Sequence, residues 1–182
     1  MRILAISGSL KSTSKNSILV RAIKTLVPTN WQYTIYNGLD ELPYFSPERD
    51  TEPAPEPVQK LRNALQEADA VIICTPEYAH GIPGSLKNAL DWTVSSGDFL
   101  NKPVAAISAS PSMMGGDKAH ASLVQTLSVL SAIIPEEAKI IIPSIPQKLD
   151  SNGQLIDETT IQQVKKMLGA LAETVVKRNN QL

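Results

Sequence analysis

Two stretches of this chain concentrate side chains able to do chemistry. The first is Gly8-Ser-Leu-Lys-Ser-Thr-Ser-Lys-Asn-Ser17, a run of hydroxyls with an amide and two lysines. The second is Thr75-Pro-Glu-Tyr-Ala-His-Gly-Ile-Pro-Gly-Ser-Leu-Lys-Asn-Ala-Leu-Asp-Trp92, where prolines and glycines are interleaved with a glutamate, a tyrosine and a histidine. A helix beginning near Asn16 or Ser17 exposes unpaired N–H groups and the positive end of its dipole. Hydroxyls, an amide and lysine beside it make an anion site suited to phosphate. A plainer role for each of these residues taken singly is helix capping in a polar loop. The run lacks the GxxxxGK[ST] spacing of a P-loop and, with Gly8 alone, the GxGxxG of classical dinucleotide folds.

Chemistry of this kind needs a frame. Ile3-Leu-Ala-Ile6, Ala70-Val-Ile-Ile73, Val104-Ala-Ala-Ile107 and Ile140-Ile-Ile142 are apolar at every position, as strands buried on both faces must be. Trp31-Gln-Tyr-Thr-Ile-Tyr36 alternates instead and predicts a half-exposed edge strand. Helical stripes fill the gaps: Ile18, Ala22, Ile23, Leu26; Val58, Leu61, Leu65, Ala68; Leu123, Leu127, Leu130, Ile134; and Ile161, Val164, Leu168, Leu171, Val175. A shorter helix between Pro83 and Val94 would bury Leu86, Leu90 and Val94. Five strands alternating with five helices predict an α/β fold with a parallel, doubly wound sheet over residues 1–182. In the strand order 2-1-3-4-5, ligands bind beyond the carboxyl ends of strands 1 and 3, where the winding reverses. The two unusual stretches then face one another across one crevice.

The remaining composition narrows the class. The 182 residues are 42% hydrophobic and 19% charged, with net charge −1, so neither disorder nor broad attraction to nucleic acid or acidic membranes is indicated. No apolar run is long enough to span a bilayer, and Met1–Ser7 is too short for a signal peptide. The single cysteine, Cys74, has no internal partner, and a cytoplasmic protein is expected. The spacing of His, Cys and carboxylates supports no metal site, and no catalytic triad is present. Cys74 and His120 are expected to be packed and His80 to lie on the surface, while Trp92 fits either the core or a subunit interface. Leu42–Pro57, with prolines at 43, 47, 53, 55 and 57, predicts a long surface loop, either functional or a solvated linker.

Gly8-Ser-Leu-Lys11 with Ser14 and Asn16, then Pro76-Glu-Tyr78 with Pro83 and Leu86-Lys-Asn-Ala-Leu-Asp-Trp92, resemble the NADPH-dependent FMN reductases. This is the flavodoxin-like group that includes chromate, quinone and azo-dye reductases. Ser108-Ala-Ser-Pro-Ser-Met-Met-Gly-Gly116 resembles the family's loop after strand 4, so the likeness covers essentially the whole chain. The resemblance implies a three-layer sandwich that forms one FMN-binding domain. It implies that Ser9, Lys11, Ser14, Asn16 and Ser17 hold the FMN phosphate. Pro76, Glu77, Tyr78 and Ala79 would border the ring and ribityl chain, with Ser110, Gly115 and Gly116 approaching from the other side. NADPH or NADH would be the electron donor in a ping-pong cycle, a small molecule the acceptor, and the assembly a homodimer or homotetramer.

The chain departs from the family at Lys11, where arginine is usual, at Ala79, where asparagine is common, and at Lys118 and Val124, where arginines often stand. Two rival classes share the fold: a flavodoxin-like electron carrier, and an interaction protein that has lost turnover. The near-neutral charge with Lys11 and Lys15 speaks against the first, and the intact Pro-Glu-Tyr loop against the second.

Overall fold

The apolar runs form five parallel strands in a computed structural model that describes residues 1–180. They are β1 (Arg2–Ser7), β2 (Gln32–Tyr36), β3 (Ala70–Thr75), β4 (Val104–Ala109) and β5 (Lys139–Ile142), in the order β2-β1-β3-β4-β5. The helices are α1 (Lys15–Ile23), α2 (Glu56–Glu67), α3 (Gly84–Asp91), α4 (Asp117–Val129), α5 (Ile145–Lys148) and α6 (Glu158–Asn179). The sheet divides the core in two. Ile3, Ala5, Ile72 and Ile107 face α1 and α6, meeting Leu19, Ile23, Leu168 and Leu171. Leu4, Ile6, Val71 and Ile73 face α2, α3 and α4, meeting Leu61, Leu65, Leu86 and Leu123. Both faces of each inner strand are covered, which is why those strands are apolar without alternation. β2 lies at the edge and is only partly buried, as its alternating sequence predicts.

The differences from the sequence reading lie at element ends. α5 is a four-residue helix hidden from periodicity by Pro146. α4 stops at Val129, so Leu130 and Ile134 pack against the core from the following connection. α3 ends at Asp91, and Val94 is exposed rather than buried. Trp92 is wholly buried in this chain's own core and carries no exposed surface for a subunit interface.

After β1 the chain winds outward to β2, then crosses back to β3 on the other side of β1. The loops following β1 and β3 therefore diverge at the carboxyl edge of the sheet, and a crevice opens there. Gly8 sets how closely they approach. A Cβ at this position would lie 2.9 Å from Leu86 Cδ2 and 3.2 Å from Thr75 Oγ1. The Gly8 N–H also donates to Cys74 O at 2.8 Å. Glycine lets the first loop lie against α3 without displacing the Leu86 and Thr75 side chains.

Candidate functional site

The loop after β1 is built around hydroxyls. Ser14 is the N-cap of α1, and its Oγ accepts from the Ser17 N–H at 3.0 Å. Ser17 Oγ donates to Lys11 O at 3.0 Å and lies 2.9 Å from Ser7 Oγ. Asn16 is buried and its side chain points inward. Nδ2 donates to Ala109 O at 3.0 Å, and Oδ1 accepts from Cys74 Sγ at 3.1 Å. Asn16 thus ties this loop to the ends of β3 and β4, a structural role its sequence position did not disclose. Burial pushes the Cys74 thiol up, so it serves here as a packed neutral donor and not as a nucleophile.

Among the described residues, the backbone N–H groups of Ser12, Thr13, Lys15 and Asn16 have no hydrogen-bond partner. They lie in the loop and first turn ahead of α1, where the helix dipole favours negative charge. Lys11 is exposed beside them. This donor set fits a phosphate: free amides, a capped helix start and a cation.

The loop after β3 is a two-residue hairpin. Tyr78 and Gly81 exchange backbone hydrogen bonds of 3.0 Å in both directions. The residues between them, Ala79 at φ 49° and His80 at φ 61°, are both left-handed, the pattern of a type I′ turn. Pro76 and Pro83 stiffen the entry and exit. His80 projects into solvent, as expected. The Glu77 carboxylate lies between the hairpin and α4, with Oε1 3.5 Å from His80 Nδ1. Oε2 accepts from the N–H groups of Lys118 and Ala119, each at 3.0 Å.

The loop after β4 closes on the same point. Gly116, at φ 81°, precedes α4, and a Cβ there would sit 3.4 Å from Glu77 Cβ. Gly115, at φ 65°, packs against β5 so closely that a Cβ would lie 2.5 Å from Ile141 Cγ2. Ser110 N–H donates to Ile142 O at 3.2 Å. His120 is buried, with Nε2 3.2 Å from Ala106 O, and burial lowers its pKa, which suits a packed neutral imidazole.

A cavity of about 720 Å3 opens beside the switch point. It is lined by Gly8, Ser9, Leu10 and Lys11 from the first loop, and by Tyr78, Pro83 and Ser85 from the second. Ser110, Gly115 and Gly116 do not line it; Gly116 meets the hairpin at Glu77, while Gly115 and Ser110 are held against the end of β5. The remaining wall is Gly84 and Asn88 of α3 with Leu39, Asp40, Leu42, Pro43 and Tyr44, where the proline-rich loop begins. This wall is anchored, not a free linker. The Asn88 side chain donates to Pro43 O at 3.0 Å and accepts from Phe45 N–H at 2.8 Å. Trp92 Nε1 donates to the same Pro43 O at 2.8 Å. The Phe45 and Trp92 rings meet edge to face at 5.1 Å. Farther along, Asp50 pairs with Arg62 at 2.8 Å, and Arg62 also donates to Trp92 O. The sequence signal for this anchor was Asn88 and Trp92 at i, i+4 spacing, two hydrogen-bonding side chains on one helix face beside a proline-rich segment.

Comparison with known proteins gives the family of the chain. Residues 1–147 match the family model for NADPH-dependent FMN reductase. This chain belongs to that family. An NAD(P)H-dependent FMN reductase of Pseudomonas aeruginosa is 31% identical over 173 residues, 94% of this chain and 93% of that protein. A quinone reductase of Escherichia coli K12 is 28% identical over 179 residues, 96% and 95% of the two chains. The solved structure of FerB, a flavoenzyme NAD(P)H:(acceptor) oxidoreductase from Paracoccus denitrificans, superposes with a TM-score of 0.83. It is 26% identical and covers 97% of each chain. As a member of the family the chain is an oxidoreductase enzyme with FMN as cofactor and NAD(P)H as electron donor. FMN supplies the hydride and electron chemistry when bound, and the protein binds, orients and shields it. None of the described helices is long and apolar enough to cross a membrane.

Proposed function

We propose that the chain, over residues 1–182, acts as one FMN-binding domain. In this reading it is a cytoplasmic NAD(P)H oxidoreductase that reduces quinones, free flavins, azo compounds or metal oxyanions such as chromate. Ser9, Lys11, Ser14, Asn16 and Ser17 form the phosphate cradle, Asn16 through its backbone N–H. Pro76, Glu77, Tyr78 and Ala79 border the flavin, and Ser110, Gly115 and Gly116 fix the opposite loop. The observation that carries this is the set of unpartnered N–H groups ahead of α1, beside a cavity at the winding reversal. The quinone reductase of Escherichia coli and the 2-hydroxy-1,4-benzoquinone reductase of a Burkholderia species support quinones as acceptors. The assembly is a homodimer or homotetramer, which sedimentation would size.

Donor and acceptor use one site in turn. Initial rates with NADPH and a benzoquinone varied together therefore give parallel double-reciprocal lines. Intersecting lines would contradict a shared site, and absence of turnover would contradict the enzyme reading.

A further inference from the structure

Arg21 sits in the last turn of α1, yet its head group acts at the other end of the helix. Helical side chains tilt toward the N-terminus, so a long one reaches back over the preceding turns. Arg21 Nη2 donates to Ser12 O at 2.9 Å, nine residues earlier in the chain. One turn before Arg21, on the same face, Ser17 Oγ donates to Lys11 O at 3.0 Å. The Ser14 N–H holds that Lys11 carbonyl as well, at 2.9 Å. Two consecutive carbonyls of the loop ahead of α1 are thus gripped from the helix.

The consequence lies on the opposite edge of each peptide. A peptide unit is planar, and in the trans form its N–H points away from its C=O. The Lys11–Ser12 and Ser12–Thr13 peptides are both trans. Holding Lys11 O therefore fixes the direction of the Ser12 N–H, and holding Ser12 O fixes that of the Thr13 N–H. These are two of the unpartnered donors ahead of α1. Donors already fixed in direction bind an anion without the cost of ordering them at that moment. A guanidinium on the carbonyl also polarises the peptide and strengthens its N–H as a donor. Among the described residues no carboxylate pairs with Arg21, so no ion pair offsets its charge.

We propose that Arg21 is a positioning residue for the flavin phosphate. It holds the Ser12–Thr13 peptide so that the Thr13 N–H faces the phosphate, and it does not touch the phosphate itself. The proposal rests on the FMN-binding reading and adds to it a residue from outside the loop.

The test compares FMN with riboflavin, which carries the same ring and ribityl chain and no phosphate. Each is titrated into the flavin-free, full-length chain and followed by quenching of flavin fluorescence. Wild type binds FMN more tightly than riboflavin. Arg21 is exposed, so its replacement leaves the core intact. Arg21→Ala raises the FMN Kd about tenfold, in keeping with loss of one charge-assisted hydrogen bond, and leaves riboflavin within about twofold. The ratio of variant to wild-type Kd for FMN persists from about 0.1 M to about 1 M salt, because a held peptide is not screened as a bare charge is. Arg21→Lys keeps a cationic donor without the planar fork and recovers part of the affinity. An unchanged FMN Kd in Arg21→Ala overturns the proposal. So does an equal rise for riboflavin, which would make Arg21 a general support of the fold. A ratio that falls to unity at high salt also overturns it, since Arg21 would then act only as a distant cation. Wild type that binds both flavins equally, or neither, removes the phosphate cradle and the proposal with it.

Discussion

Glu77 Oε2 lies 3.0 Å from the Ala119 backbone nitrogen and accepts a hydrogen bond from its N–H, so a carboxylate from the loop after β3 caps the helix after β4. Gly116, the N-cap of α4, has no side chain to do this. Glu77 takes the two donors, Lys118 and Ala119, that a serine or aspartate at the cap would take. The same contact fixes the angle between two loops of the site. Glu77→Ala is expected to lower stability by about 1 kcal/mol, the usual worth of a cap, and to weaken FMN binding. Glu77→Gln keeps an acceptor and loses less of both. Urea denaturation and an FMN titration of the same variants check this; equal losses for Ala and Gln would contradict it.

Ala79 occupies a left-handed position that asparagine or glycine adopts at lower cost. Relief of that strain is worth about 1 kcal/mol. Ala79→Gly and Ala79→Asn should therefore raise the thermal midpoint by about 2–4 °C in a chain of this size. A lowered midpoint in both variants would show that the turn is not type I′ in solution.

The Asp50–Arg62 pair straps the far end of the proline-rich loop, with side chains only 12% and 9% exposed. Its geometry is closed by Ser95 Oγ, which donates to Asp50, and the Ser95 hydroxyl and Arg62 together hold the Asp50 carboxyl below its ordinary range. Removing one partner strands the other. Arg62→Leu is expected to cost about 3 kcal/mol or more, and Arg62→Leu with Asp50→Leu to recover part of it. Limited proteolysis near Glu48 and Arg49 should accelerate in Arg62→Leu alone. Identical stability for the single and double variants would contradict a coupled pair.

Asp157 caps α6, accepting from the Thr160 N–H at 2.9 Å and from Lys148 Nζ at 2.9 Å. Hydrogen bonds from Thr160 and then Lys148 lower its pKa to about 2. A depressed carboxylate contributes stability that is fully present above its unfolded value, about 3.9, and is lost as pH falls through the folded value. The stability gap between wild type and Asp157→Ala should therefore be constant above about pH 5 and narrow between about pH 4 and pH 2. Denaturation midpoints across that window test the sign. A gap that widens on acidification would contradict it.

Much of the frame was legible because burial on both faces writes itself as uninterrupted apolar sequence. Ile3–Ile6 and Ala70–Ile73 could be assigned without knowing their neighbours, and Trp31–Tyr36 announced an edge by alternating. What stayed hidden depends on partners distant in sequence. Trp92 reads as a large aromatic near a helix end, and only Pro43, 49 residues away, shows why it is buried. Asn16 reads as one more polar residue of its loop, and nothing local shows that its side-chain amide reaches Ala109 across 93 residues. Glu77 as a cap on α4 has no local signature either, since helix-capping patterns look for the cap next to the helix. α5 was missed because four residues with a proline carry no period.

In the proposed site, the loop ahead of α1 and the Pro76–Pro83 hairpin together hold FMN in a state that NAD(P)H can reduce. The most direct measurement is the visible spectrum of the purified chain with FMN added to saturation, freed of excess by gel filtration, then mixed anaerobically with NADPH. A retained flavin spectrum that bleaches is expected. Loss of all flavin on the column, or a retained spectrum unmoved by NADPH or NADH, would contradict it.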